Sequence, residues 1–178
     1  IPHTASTLKI DMHATGSGTR SGILRNKTPD SSVKVNSKMI AARVRANNNK
    51  DLQSWERLHA KEVVRYAPEL GKPLRGRVAL RRALEDLLIS FPDYHVEQMN
   101  AFGERDWPCV EFKARGTHSG PIRVGGQVLP PTNKAFESSW CGIFRFKNGK
   151  IVEVREYYDL LGIMKQLGVE LMTLKFGR

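Results

Sequence analysis

Apolar residues recur along this chain in two rhythms, every three to four positions in its first half and every second position afterwards. The first rhythm predicts helices and the second predicts strands. Val35 to Asn47 reads as a first helix, with Val35, Met39, Ile40 and Val44 near one face. The polar run Asn47-Asn48-Asn49-Lys50 breaks it. Asp51 is placed to cap a second short helix carrying Leu52, Trp55 and Leu58, because a carboxylate before a helix accepts from its free amides. Val63 to Ala67 predicts a strand ended by Pro68. Gly76 to Phe91 is the clearest helix. Leu80, Leu84, Leu87, Leu88 and Phe91 make one stripe, while Arg77, Arg81, Arg82, Glu85 and Asp86 make the wet face. Pro92 stops it.

Strands follow. Tyr94 to Phe102 alternates loosely. Trp107 to His118 sets Val110, Phe112, Ala114, Gly116 and His118 on one face. Pro121 to Asn133, with Gly125-Gly126 and Pro130-Pro131, reads as a long loop that could overhang a cavity mouth. Lys134 to Phe146 places Phe136, Ser138, Trp140, Gly142, Phe144 and Phe146 together. Asn148-Gly149 is a hairpin turn, and Ile151 to Tyr158 is the next strand. Asp159 sits where that strand gives way to a short apolar helix ended by Gly168. Helices followed by a run of strands predict an α+β fold, a curled and mostly antiparallel sheet wrapped around helices. A sheet curled in this way predicts a conical cavity for a small ligand.

Composition changes this picture little. A length of 178 residues fits one domain with a sizeable core. No apolar run is long enough to span a membrane. The net charge of +11 invites a nucleic-acid reading, but the basic residues are scattered and no aromatic RNA-binding signature accompanies them. The charge suits an anionic small molecule or solubility equally well. Cys109 and Cys141 lack metal-ligand spacing and read as buried thiols. The scattered histidines carry no H-x-H or H-E-x-x-H pattern, so no metal site is expected, nor is there a G-x-S-x-G element. Residues 1–34, rich in Ser, Thr, Gly, Lys and Arg, form a basic extension ahead of a domain over residues 35–178. That extension resembles an organelle transit region, a disordered tail or an arm packed on a partner. The expected location is accordingly the cytoplasm, or an organelle if the extension is a transit remnant.

The ordered set HAKEVVRYAP (59–68), LRGRVALRRAL (74–84), FPDY (91–94), ARGTHSG (114–120), PPTNK (130–134), FRFKNGKIVE (144–153) and YYDLLGIMKQLG (157–168) resembles the SnoaL-like polyketide (ester) cyclases, within the nuclear-transport-factor-2-like superfamily. The resemblance runs from Leu58 to Val169. It implies a cone-shaped α+β fold and an intramolecular aldol condensation without metal or organic cofactor. On its motif the acid/base aspartate falls on Asp159, and His118 falls on a characteristic family position. Relatives often carry Trp where this chain has Arg155, which alters one wall of the implied pocket. Superfamily members often pair through the exposed sheet face, so a homodimer is implied.

Read from the residues alone, Asp159 is either a helix cap or a base, and a base would need a desolvating pocket. Strand parity puts Val152, Val154, Glu156 and Tyr158 on one face and Arg155, Tyr157 and Asp159 on the other. Glu156 is therefore a second candidate carboxylate, with a surface ion pair as its alternative. His118 continues an apolar face and is either a core histidine or a donor to a substrate oxygen. Tyr66, Phe91, Phe136, Trp140 and Tyr158 are candidate cavity walls, with Arg155 beside them. The expectation is a cyclase of a small, mostly apolar carbonyl compound. An isomerase, an epoxide hydrolase or a non-catalytic binding module are the alternatives.

Overall fold

The computed structural model describes residues 31–124 and 127–169, with side chains placed over 36–123 and 127–169. The N-terminal extension up to residue 30 and Gly125-Gly126 lie outside the described residues. Twelve elements follow in order: α1 (Ser31–Asn48), α2 (Leu52–Arg57), β1 (His59–Tyr66), β2 (Leu74–Arg75), α3 (Arg77–Ser90), β3 (His95–Glu104), β4 (Trp107–Thr117), β5 (Ile122–Val124), β6 (Gln127–Leu129), β7 (Ala135–Lys147), β8 (Lys150–Tyr158) and α4 (Leu160–Gln166). The main sheet has the order β2-β1-β8-β7-β4-β3. Its β1–β8 pair is parallel and the others are antiparallel. The helices pack on one side: α1 against β3 and α2, α3 against β1, and α4 against β7.

The alternation in the sequence produces this layering directly. Along β4 and β7, Val110, Phe112, Ala114, Phe136, Phe144 and Phe146 are buried against Ile40, Trp55, Leu80 and Leu84 from the helices. Their intervening neighbours Glu111, Lys113, Glu137 and Arg145 are exposed. Asp51 caps α2 as expected, its Oδ1 accepting from the Ser54 amide at 3.0 Å. Among the described residues, no helix is long and apolar enough to cross a membrane.

Several details differ from the sequence expectation: α1 starts at Ser31, inside the expected extension and four residues before Val35, the two-residue strand β2 was not expected, and Cys109 and Cys141 are half-buried where buried thiols were expected. β1 begins at His59, four residues before the predicted strand. The predicted 121–133 loop contains its own two-stranded hairpin, β5 with β6, in which Ile122 faces Leu129. A register shift in the β7–β8 pair leaves Val152 without a partner, between Ile151 opposite Phe146 and Glu153 opposite Arg145. This bulge lets Ile151 and Val154, which differ in parity, both be fully buried.

His59 lies fully buried at the start of β1. Its Nδ1 meets the Trp55 carbonyl at 2.9 Å, and its ring lies tilted against that indole with centroids 4.2 Å apart. Burial, aided by the Arg43 charge, lowers its pKa to about 3. The native state therefore holds His59 neutral, while the unfolded chain takes up a proton near pH 6.5. Stability is fully present above that pH and drains away as pH falls from 6.5 towards 3. Chemical denaturation across this window is expected to show a loss of several kcal/mol, about 1.4 per pH unit at most, and His59→Gln should flatten the dependence.

Candidate functional site

The inner face of β8 carries Val154, Glu156 and Tyr158, paired in register with Phe144, Gly142 and Trp140 of β7. Glu156 thus points in among aromatic rings, as its parity predicts, and its side chain is 9% exposed. Gly142 beside it has no side chain because the Phe144 and Trp140 rings close over it: a Cβ there would lie 2.8 Å from Phe144 and 3.0 Å from Trp140. Trp140 also stacks on Phe112, with ring centroids 4.2 Å apart.

The interior is polar at its centre. Arg65, from the inner face of β1, gives two hydrogen bonds to Glu156 Oε2, from Nε at 2.9 Å and Nη2 at 2.6 Å. Nη2 also reaches Glu69 at 2.7 Å, and the Tyr158 hydroxyl donates to the other oxygen of Glu69. Arg43, from α1, approaches Glu156 Oε1 at 3.7 Å. Its guanidinium lies 5.1 Å from the Trp55 ring centroid and 5.3 Å from that of Phe144. Burial pulls Arg65 down, but Glu156 and Glu69 outweigh it and hold the guanidinium above its ordinary value. Burial wins at Arg43, which is lowered despite Glu156. Burial raises both the Tyr158 and Tyr94 hydroxyls, assisted by Glu69 and Glu156 respectively. The expected alternative for Glu156, a surface ion pair, is replaced by a sequestered network joining α1, β1 and β8.

Asp159 lies one position past β8 and is exposed. Its carboxylate caps α4, Oδ1 accepting from the Gly162 amide at 2.8 Å. Among the described residues Oδ2 accepts no hydrogen bond. Gly162 lets the carboxylate sit close, since a Cβ there would press on Asp159 and make its side chain shift. His118 is fully buried at the end of β4. The Thr132 amide donates to its Nδ1 at 3.3 Å, and the Thr132 hydroxyl lies 3.1 Å from the same atom. An accepting Nδ1 puts the ring proton on Nε2, which is buried and, among the described residues, unpartnered. Burial lowers the His118 pKa, keeping it neutral. His118, Phe91 and Phe136 form one aromatic end of the interior, with Phe91 centroids 5.5 Å from His118 and 5.1 Å from Phe136.

Two of the expected cavity walls face the other way. Tyr66 and Arg155 are exposed on the outer sheet face, where the Arg155 guanidinium lies 5.4 Å from the Tyr66 centroid and 5.8 Å from that of Trp107. The cause is parity: Arg65 and Glu156 turn inward, so the residues next to them turn out. Phe91, Phe136, Trp140 and Tyr158 do line the inner side. The residues missed by sequence reading are Arg43, Arg65 and Glu69, all drawn into the Glu156 network, and Tyr94, whose hydroxyl is raised by burial and by the Glu156 charge.

The expected ligand-sized cavity is not matched by the hollow on the outer face by His95, Glu97, Lys113 and Arg115, which offers about 20 Å³, room for about one water. Among the described residues, no three His, Cys, Asp or Glu side chains converge as a metal site.

The sequence pattern of SnoaL-like polyketide cyclases matches residues 37–167. The chain is similar to the aklanonic acid methyl ester cyclase DnrD of Streptomyces peucetius, 28% identical over 123 residues that cover 68% of this chain and 82% of that protein. IdmH of Streptomyces antibioticus superposes with a TM-score of 0.63 at 30% identity, covering 75% of this chain and 98% of IdmH. A SnoaL-like protein from Jannaschia sp. CCS1 shares the fold at 17% identity, with a TM-score of 0.72 over 82% of this chain and 99% of that one.

Proposed function

We propose that this chain, which belongs to the SnoaL-like polyketide cyclase family, closes a ring in a polyketide-like or other small carbonyl compound by proton abstraction and intramolecular carbon–carbon bond formation. The observation that carries this reading is the end of β8. There an inward carboxylate, Glu156, is matched by buried guanidiniums, and Asp159 follows three residues later with one oxygen uncommitted. A base needs a free lone pair within reach of the substrate. Oε2 of Glu156 is committed to Arg65, so Glu156 positions the arginines and Asp159 Oδ2 takes the proton. The proton leaves a carbon flanked by carbonyls, and the enolate carbon then bonds to a second carbonyl carbon of the same molecule. The resulting alkoxide recovers the proton from Asp159. The His118 Nε2–H is the donor available for an enolate or alkoxide oxygen. No electrons enter or leave, so the step needs no redox cofactor.

Packing of the substrate against Phe91, Phe136 and Trp140 would bring its two ends together, and restricting conformers in this way contributes several kcal/mol to such closures. The outer sheet face exposes Phe102, Trp107 and Tyr157, which supports pairing of two copies there. The full burial of Phe112, Phe144 and Val154 on the inner face favours a second reading, a binding module that orders around a ligand without converting it.

The experiment is product analysis with aklanonic acid methyl ester, the compound named for DnrD, and a series of smaller β-keto esters. Ring closure by aldol addition predicts a product of unchanged mass with one carbonyl replaced by an alcohol. Gain of a water mass from an epoxide substrate, or a shifted double bond without a new ring, would replace the reading with the hydrolase or isomerase. Binding of these compounds without conversion would favour the binding module.

A further inference from the structure

The outer face of the sheet carries a side-chain cluster that the cyclase reading leaves unused. Cys109 of β4 and Cys141 of β7 are free, half-buried thiols whose Sγ atoms lie 3.1 Å apart. They are diagonal neighbours, since Cys109 pairs with Ile143 and Cys141 with Glu111. Phe102 of β3 pairs with Cys109, and Tyr157 of β8 pairs with Cys141. Directly paired residues share a face. The four side chains therefore form a row across β3, β4, β7 and β8, two thiols between two exposed rings. The row lies on the side of the sheet away from Glu156, which follows Gly142 to the inner face.

Two thiols in contact can join directly or share a bridging atom. A disulfide wants Cα atoms within about 6.8 Å, and diagonal neighbours across two strands lie about 7–8 Å apart. An inserted atom thus fits the spacing better than a direct bond. A zinc ion wants four ligands, and among the described residues no third His, Cys, Asp or Glu side chain converges with the pair. Two sulfurs alone satisfy a soft, thiophilic centre of low coordination number. Burial, assisted by the Cys109 sulfur and the Glu111 charge, pushes the Cys141 thiol up to about 11, so its proton leaves as such a centre binds.

We propose that Cys109 and Cys141 chelate a soft thiophilic centre, of the class of monovalent copper or trivalent arsenic, between their two sulfurs. Phe102 and Tyr157 flank it on either side. With an organic arsenic oxide, R–As=O, two As–S bonds form, both thiols give up their protons and the oxygen leaves as water. With Cu⁺ the sulfurs bind as thiolates and their protons pass to solvent. Neither reaction changes an oxidation state.

The test uses the full chain, reduced with a phosphine, and two probes: phenylarsine oxide, and Cu⁺ in competition with bicinchoninate. Native mass spectrometry and competition titration read the binding. Wild type is expected to take up one equivalent per chain and to release it to excess dithiothreitol. Cys109→Ser and Cys141→Ser should each weaken uptake by about 10²- to 10⁴-fold, the loss of a second tethered ligand. Should either variant fail to fold, wild type alkylated with iodoacetamide must show the same loss. Uptake of the arsenical without copper, or of copper without the arsenical, supports the site and assigns it to one of the two. Uptake of neither probe, equal uptake by wild type and the single variants, or closure of a disulfide by diamide in a chain that binds neither probe overturns the proposal.

Discussion

Asp159→Asn is expected to lower kcat by about 10²- to 10⁴-fold, the usual contribution of a positioned general base, while leaving the fold intact. The choice of Asn separates the two roles this residue can play. Asparagine caps a helix about as well as aspartate, so the bond to the Gly162 amide survives. What is lost is the basic oxygen. Asp159→Ala removes both and should additionally cost about 1 kcal/mol of stability. Steady-state rates on the converted ester, read beside thermal unfolding of both variants, check this. A correctly folded Asp159→Asn with wild-type kcat would reduce Asp159 to a cap.

Glu156→Gln is expected to act on stability instead, costing about 3–5 kcal/mol. The substitution keeps the shape but leaves Arg65 and Arg43 without their common anion in a nearly sealed interior. Glu69 remains for Arg65, which sets the loss at the lower end of that range. Equilibrium urea unfolding measures it, and a loss under about 1 kcal/mol, the range of exposed pairs, would show that the network is solvated. Because both arginines hold α1 and β1 to β8, the same variant should also loosen α1.

Much of this fold was legible because the hydrophobic pattern and the turn chemistry agree. The alternation from Phe136 to Phe146 could be satisfied only by a strand with one face buried, and Asn148-Gly149 takes up the positive φ of a tight hairpin. The hairpin of Ile122–Val124 with Gln127–Leu129 was hidden because three-residue strands are too short for a periodic signal. Parity placed Glu156 inward, where its side chain is 9% exposed, while Asp159 falls past the end of β8, where the cap of α4 and not strand parity sets its direction. The same counting applied to β1 would have turned Tyr66 outward and exposed Arg65 as a charge on the core side, two positions after the fully buried Val63. Arg43 carried a comparable signal. It falls four residues after Met39 and three after Ile40, on the stripe that faces the sheet. A lone charge on an apolar stripe is ordinarily taken as a solvated edge, and only Glu156, more than a hundred residues later, gives it a reason to be inside. Such pairings across distant elements are set by tertiary packing, which local periodicity does not encode. The resemblance to SnoaL-like cyclases marked Asp159 but carried no information on the arginines.

The most direct test of the central claim is a crystal structure with a β-keto ester analogue doubly methylated at the carbon between its carbonyls, which therefore cannot lose a proton. The account predicts that this carbon lies about 3–3.5 Å from Asp159 Oδ2, the separation of a reacting pair, with the chain of the analogue against Trp140 and Phe136. An analogue seated on the outer face by Tyr66 and Arg155, or one that leaves Asp159 bound only to the Gly162 amide and distant from that carbon, would contradict it.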